Sequence, residues 1–256
     1  MSAETVLFDV VDHVAVISLN RPEVRNAVDL PTALALESTI DQADDDADVR
    51  AIVLAGRGAV FCAGMDLKAF SSTGERPVTE KRGAFGIVGR PPTKPTIAAV
   101  EGKALGGGFE IALAADLIVA AESAMFGLPE VTRGLVAAAG GLLRLPQRIP
   151  RNIASHMALT GAPITASRAR ELGLVSEVVS DGNAIDSALR LAASIAANAP
   201  LALIASKRIM VESADWTNAE MFEKQSGITG AVRASSDAVE GARAFVEKRP
   251  PVWTGK

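Results

Sequence analysis

The chain has 256 residues, with 48% hydrophobic and 22% charged residues and a net charge of −4. That is long enough for one large core, or a core with an appendage, and the charge gives no footprint for nucleic acid or an anionic membrane as the main partner. The single cysteine, Cys62, excludes an intramolecular disulfide and fits a reducing compartment.

The first residues, MSAETVLFDVVDH, lack an apolar signal region, and no apolar run approaches the ~18 residues of a membrane span. The longest candidate, Ile111 to Ala121, is interrupted by Asp116. A cytoplasmic location is therefore expected. Val6 to Val11 and Val14 to Leu19 are β-branched runs around the turn-like pair Asp12-His13, which predicts a hairpin. Asn20-Arg21-Pro22 ends it, and Asp29 is placed to cap a helix near Pro31 to Ala43. The acidic run Asp44 to Asp46 reads as a solvated turn rather than a metal site.

Ala51 to Ala55 predicts a short buried strand. Phe61 to Lys68 predicts a strand-to-helix junction, with Asp66 in the opening turn and spare backbone donors at Met65 and Asp66. Ser71 to Pro92, rich in glycine and proline, is either a mobile cover over a ligand or a surface excursion.

The stretch from Lys94 to Glu130 organises the rest. A strand over Thr96 to Val100 leads through Glu101-Gly102 to three glycines, Gly106 to Gly108, and an Ala-rich helix with Glu110 in its first turn. Two readings fit. Glycines there allow close packing of helix on strand, or they let backbone N–H groups at a helix start face an oxygen gaining negative charge. Glu130, after Pro129, would place a second carboxyl nearby.

Further helices are predicted at Leu142 to Arg148, Arg151 to Leu159 and Thr165 to Leu172, a last strand at Leu174 to Val179, and an amphipathic helix around Ile185 to Ile195. Beyond Pro200 the pattern is helical throughout, over Leu201 to Glu212, Thr217 to Val232 and Ser236 to Glu247. The expected architecture is an α/β core over residues 1 to 196, followed by a helical region over 197 to 256 suited to contact with another subunit.

Several chemistries find no support. Ile111 breaks a GxGxxG pattern, and neither a phosphate loop nor a GxSxG elbow is present. Two histidines in unrelated contexts, His13 and His156, give no zinc site or triad. Cys62 has no local histidine and reads as a small core residue. Carboxylate acid–base work with backbone electrophilic stabilisation is what remains.

FCAGMDL at 61–67, AAVEGKALGGGFEIALAADLIVAA at 98–121 and FGLPEVTRGL at 126–135 together resemble the crotonase (enoyl-CoA hydratase/isomerase) superfamily, nearest its enoyl-CoA hydratase and carnitinyl-CoA dehydratase branches. The resemblance implies a spiral of strand-strand-helix units and an acyl-CoA substrate. It assigns the thioester oxygen to the N–H groups of Met65 and Gly107, and the acid–base roles to Glu110 and Glu130. It also implies substrate contacts at Arg25, Ala27, Ala63, Asp66, Leu67 and Gly106, and at Lys248 from a neighbouring subunit. No metal and no cofactor beyond the substrate's own CoA are implied, and the assembly expected is a homotrimer or dimer of trimers. Keeping both glutamates favours hydration. The other readings are carnitinyl-CoA dehydration and a low-activity binding or assembly protein. Ala137-Ala138 departs from the Pro-Gly or Pro-Asp found in those branches.

Overall fold

The computed structural model describes residues 4–256; Met1 to Ala3, the start of the segment read for a signal sequence, lie outside the described residues. Strands β1 (Val6–Val11) and β2 (Val14–Leu19) form the expected antiparallel hairpin, with Val11 opposite Val14. Its two-residue turn needs positive φ at both central positions, and Asp12 (+47°) and His13 (+67°) supply it.

Helix α1 (Leu30–Asp45) starts where Asp29 accepts the Thr32 N–H at 2.9 Å. Strand β3 (Ala51–Gly56) is buried at all six positions, and helix α2 (Leu67–Thr73) follows. The short strands β4 (Val78–Thr79) and β5 (Gly83–Ala84) pair with each other. Then come β6 (Thr96–Val100), β7 (Lys103–Leu105), α3 (Gly107–Ala114), β8 (Leu117–Ala121) and β9 (Met125–Gly127). The rest is α4 (Gly141–Arg148), α5 (Arg151–Thr160), β10 (Ile164–Thr165), α6 (Ala166–Glu171), β11 (Glu177–Val179) and helices α7 (Ala184–Ala196), α8 (Pro200–Glu212), α9 (Met221–Arg233) and α10 (Ser236–Glu247).

The main sheet runs β1-β2-β3-β6-β8-β11, parallel from β2 onward. Parallel strands need cover on both faces. On one face α7 lays Ala184, Ala188, Ala192 and Ala196 against Val53, Ile97 and Val119. On the other lies the larger core, including Ile17, Leu54, Phe61, Phe109 and Phe126. A second sheet, β10-β9-β7, is extended by a bridge between Cys62 and Ala104. The chain thus repeats one move: a strand of the main sheet, a step into the small sheet, then a helical turn. β3, Cys62 and α2 make one such unit, and β6, β7 and α3 the next, which is the expected spiral.

Three differences from the sequence reading have physical causes. The Ala-rich helix stops at Ala114, because Asp116 exchanges bonds with Thr96 (Asp116 N–H to Thr96 O, 2.9 Å; Thr96 N–H to Asp116 Oδ2, 2.7 Å) and starts the unanticipated strand β8. The acidic run is not a solvated turn throughout. Asp44 belongs to α1 and accepts Arg82 Nη2 at 2.8 Å with its side chain only 9% exposed. Ser71 to Pro92 is no loose cover either, since Arg82, Phe85, Ile87 and Val88 from it are buried.

Helices α8 to α10 carry few buried residues and leave Phe222, Phe245 and Val246 largely exposed. No single helix among the described residues is long and apolar enough to cross a membrane. Buried Lys207 on α8 ties this region to the core, meeting Asp116 Oδ2 at 2.7 Å and the Lys94 carbonyl at 2.9 Å. Substituting Lys207→Met removes both of these bonds, and guanidinium unfolding should register a loss of about 2 kcal/mol, the cost of a charged hydrogen bond. An unchanged midpoint would show that the tie carries no stability.

Candidate active site

Two loops meet at the N-terminus of α3. In the first, Gly64 holds φ +90° and its carbonyl accepts the Val28 N–H at 2.8 Å, while Asp66 N–H reaches back to the Val28 carbonyl at 2.9 Å. The Asp66 amide is therefore engaged, and Met65 alone of that pair keeps an N–H without an acceptor among the described residues. In the second loop, Gly106 sits at φ +56°, ψ −129°, a region open essentially to glycine. Gly107, as the first helical residue, leaves its N–H free of intrahelical partners. The approach is close: a Cβ at Gly64 would lie 2.8 Å from Gly107 N, and one at Gly108 would lie 2.0 Å from the Cys62 carbonyl oxygen. Close packing and exposed donors, the two readings of the glycine triplet, are thus one geometry.

Two carboxyls face the same space. Glu110 is 3% exposed, and its Oε1 accepts the N–H groups of Ala139 (2.7 Å) and Gly141 (2.9 Å). Glu130 lies in the 3-10 turn Pro129–Arg133, with Oε1 beside Gly106 and a buried Oε2 that has no hydrogen-bond partner among the described residues. Burial raises the Glu110 pKa and the Glu130 charge adds to the rise; the two amides and Arg144 oppose it. Burial likewise raises the Glu130 pKa, against its own backbone bond and Arg133. Carboxyls with raised pKa values in one cleft mark a site for proton transfer.

A cavity of about 620 Å³ is lined by Met65, Gly107, Glu110 and Glu130 together, with walls from Leu67, Phe70, Phe85, Leu135 and Val136. Residues 10–256 match the family described as enoyl-CoA hydratase/isomerase. Enoyl-CoA hydratase EchA19 of Mycobacterium tuberculosis is 42% identical over 93% of this chain and 92% of its own. The carnitinyl-CoA dehydratase of Salmonella enteritidis is also 42% identical, over 94% of each. The crystal structure of an enoyl-CoA hydratase from Mycobacterium tuberculosis H37Rv superposes with a TM-score of 0.96 at 54% identity, covering 98% of this chain and 99% of that one. The chain belongs to the enoyl-CoA hydratase/isomerase family.

In this crotonase-family chain, Arg25, Ala63, Leu67 and Gly106 also line the cavity. Ala27, Asp66 and Lys248 do not. Ala27 is buried behind it, its carbonyl accepting Arg21 at 2.6 Å. Asp66 caps α2 through Lys68 and Ala69 N–H and pairs with Arg21 at 3.1 Å, so its carboxylate braces the Met65 loop. Lys248 ends α10 in a left-handed conformation. Cys62 is fully buried, and burial pushes its thiol up to about 12, which makes it a poor nucleophile.

The sequence reading missed Arg76, Arg133, Leu135 and Val136 as lining residues, since no local pattern aims them at this space. It flagged Ala137-Ala138 as a departure without seeing its setting. Ala138 and Ala139 line the cavity, and the Ala139 N–H holds Glu110.

A raised folded-state pKa gives stability that is present below the unfolded carboxyl's pKa and lost as pH rises through the folded value. Glu110→Gln keeps an amide oxygen for Ala139 and Gly141 but cannot ionise. The variant should therefore gain melting temperature relative to the parent at pH 8 more than at pH 5, as read by calorimetry. A difference independent of pH would mean Glu110 ionises in the fold as easily as in the unfolded chain.

Proposed function

We propose that this protein hydrates the α,β double bond of an enoyl-CoA thioester. One observation carries the reading: a single cavity is lined by two backbone amides without acceptors and two carboxyls with raised pKa values. The hydratase and dehydratase names of the relatives support the same class of lyase chemistry.

In the proposed mechanism the thioester oxygen accepts the Met65 and Gly107 N–H groups. Water held by Glu110 adds its oxygen to Cβ and gives a proton to the Glu110 carboxylate. The π electrons shift to the thioester oxygen as an enolate, where each amide contributes about 3 to 4 kcal/mol to lowering the barrier. The enolate collapses, and Cα takes the proton that Glu130 holds on Oε2, the oxygen without a partner among the described residues. Glu110 is then protonated and Glu130 ionised, and a proton returned from one to the other resets the pair. The balance needs no redox step and no cofactor beyond the CoA carried by the substrate.

Arg25 lies on the cavity wall shared with Ala63 and Leu67, the side assigned to the CoA moiety. Lys248 reaches phosphate from a neighbouring copy in this reading, with the exposed apolar residues of α9 and α10 packed in a homotrimer or dimer of trimers in the cytoplasm. Apart from the two glutamates, the charged residues of the lining are Arg25, Arg76 and Arg133. That sign disfavours a trimethylammonium tail and supports an uncharged acyl group over carnitinyl-CoA.

Crotonyl-CoA should be hydrated and crotonobetainyl-CoA should not, followed by loss of the enoyl absorbance. Glu110→Gln and Glu130→Gln should each lower kcat about 10²- to 10⁴-fold. Full activity in both variants would overturn the mechanism. Inactivity of the parent on every enoyl-CoA would favour a binding or assembly role.

A further inference from the structure

One wall of the cavity is fixed by a residue far from the chemistry. Arg82 is 2% exposed, with Nε on Asp41 Oδ1 (2.8 Å), Nη2 on Asp44 Oδ2 (2.8 Å) and Nη1 on the Arg90 carbonyl (2.9 Å). Its backbone N–H donates to Glu37 Oε2 at 2.8 Å. All three acids stand on α1, so the guanidinium and backbone N–H of one residue staple the α2–β6 segment to a core helix.

Three residues on, Phe85 adopts φ +57°, uncommon for a bulky residue, and its N–H donates to the Pro77 carbonyl at 2.6 Å. The turn drives the ring onto Gly107. The three atoms nearest to a Cβ built at Gly107 are all Phe85 ring carbons, at 2.1, 2.5 and 2.9 Å. The ring is 6% exposed and forms part of the cavity lining.

We propose that Phe85 is a specificity-determining residue that excludes acyl bulk next to the thioester, and that Arg82 is the positioning residue that holds it there. The inference rests on the reading in which Gly107 N–H binds the thioester oxygen, since the carbons beside that oxygen then pass the ring. The substrate class is an unbranched enoyl chain rather than one with an α-methyl or a β-aryl group.

The test compares crotonyl-CoA with tiglyl-CoA and cinnamoyl-CoA in the parent, Phe85→Ala, Phe85→Leu and Arg82→Lys. Phe85→Ala should shift the kcat/KM ratio toward the bulky substrates by roughly ten- to a hundredfold. Phe85→Leu should fall between it and the parent. Arg82→Lys, which loses the planar fork, should shift the ratio in the same direction, with KM for crotonyl-CoA rising more than kcat falls. Calorimetric binding of 3-phenylpropanoyl-CoA against butanoyl-CoA should shift in parallel without any turnover.

Melting temperature gives an independent reading. Gly107→Ala should lower it sharply in the parent and far less in the Phe85→Ala background, because the colliding ring is gone. Unchanged substrate and binding ratios in folded Phe85→Ala, or an equal effect of Gly107→Ala in both backgrounds, would overturn the proposal. A shifted binding ratio with no hydration by the parent would sink the hydratase reading and leave this one standing. A parent that binds neither thioester sinks both.

Discussion

The structure depends on how closely two stretches of backbone lie against each other, Cys62 to Met65 and Gly106 to Gly108. Neither Gly64 nor Gly108 has room for a methyl group: one faces the Gly107 nitrogen, the other the Cys62 carbonyl. This contact joins two successive strand-strand-helix units of the spiral, and it sets two unpaired amide groups at the edge of one cavity. Backbone donors placed this way need no reorganisation as charge develops, which is what makes them effective electrostatically. The glycines lose backbone entropy on folding, and the geometry they permit is the gain.

The carboxyls are held by different means. Glu110 rises from the helix that Gly107 starts, and it is gripped by two amides of the Ala139–Gly141 loop. Glu130 hangs from a short 3-10 turn with one oxygen unpartnered. Burial raises both pKa values, yet Glu110 has strong donors opposing the rise while Glu130 has only its own backbone bond and the exposed Arg133. Unequal surroundings for two neighbouring acids are the physical basis on which the proposed mechanism gives them unequal roles.

Away from the centre, charged staples decide which segments are rigid. Arg82 turns a glycine- and proline-rich stretch into a fixed wall, and Lys207 ties the first C-terminal helix to Asp116 and the end of the Lys94 turn. Each is buried, and each is stabilising only because its acceptors are in place, since an unpaired buried charge is costly. The exposed aromatic and aliphatic residues of α9 and α10 contrast with this, having no such partner among the described residues.

Local pattern in the sequence determined the hairpin, the Asp29 cap, the strand-to-helix junction at Asp66, the strand at Thr96 to Val100 and the helices after Pro200, because each is governed by neighbours a few residues away. The glycine triplet, Glu110 and Glu130 were legible as candidates from residue type and order. Folding decided the rest. Helix α3 ends early because Asp116 pairs with a strand 20 residues back, and the Asp66 amide is spent on Val28 while that of Met65 is left free. Phe85 and Arg82 matter through Gly107 and helix α1, contacts between residues 22 and 45 positions apart or at similar separations. Such contacts form only when the spiral closes, because periodicity and capping report a residue's neighbours in the chain and carry no information on what meets it in space.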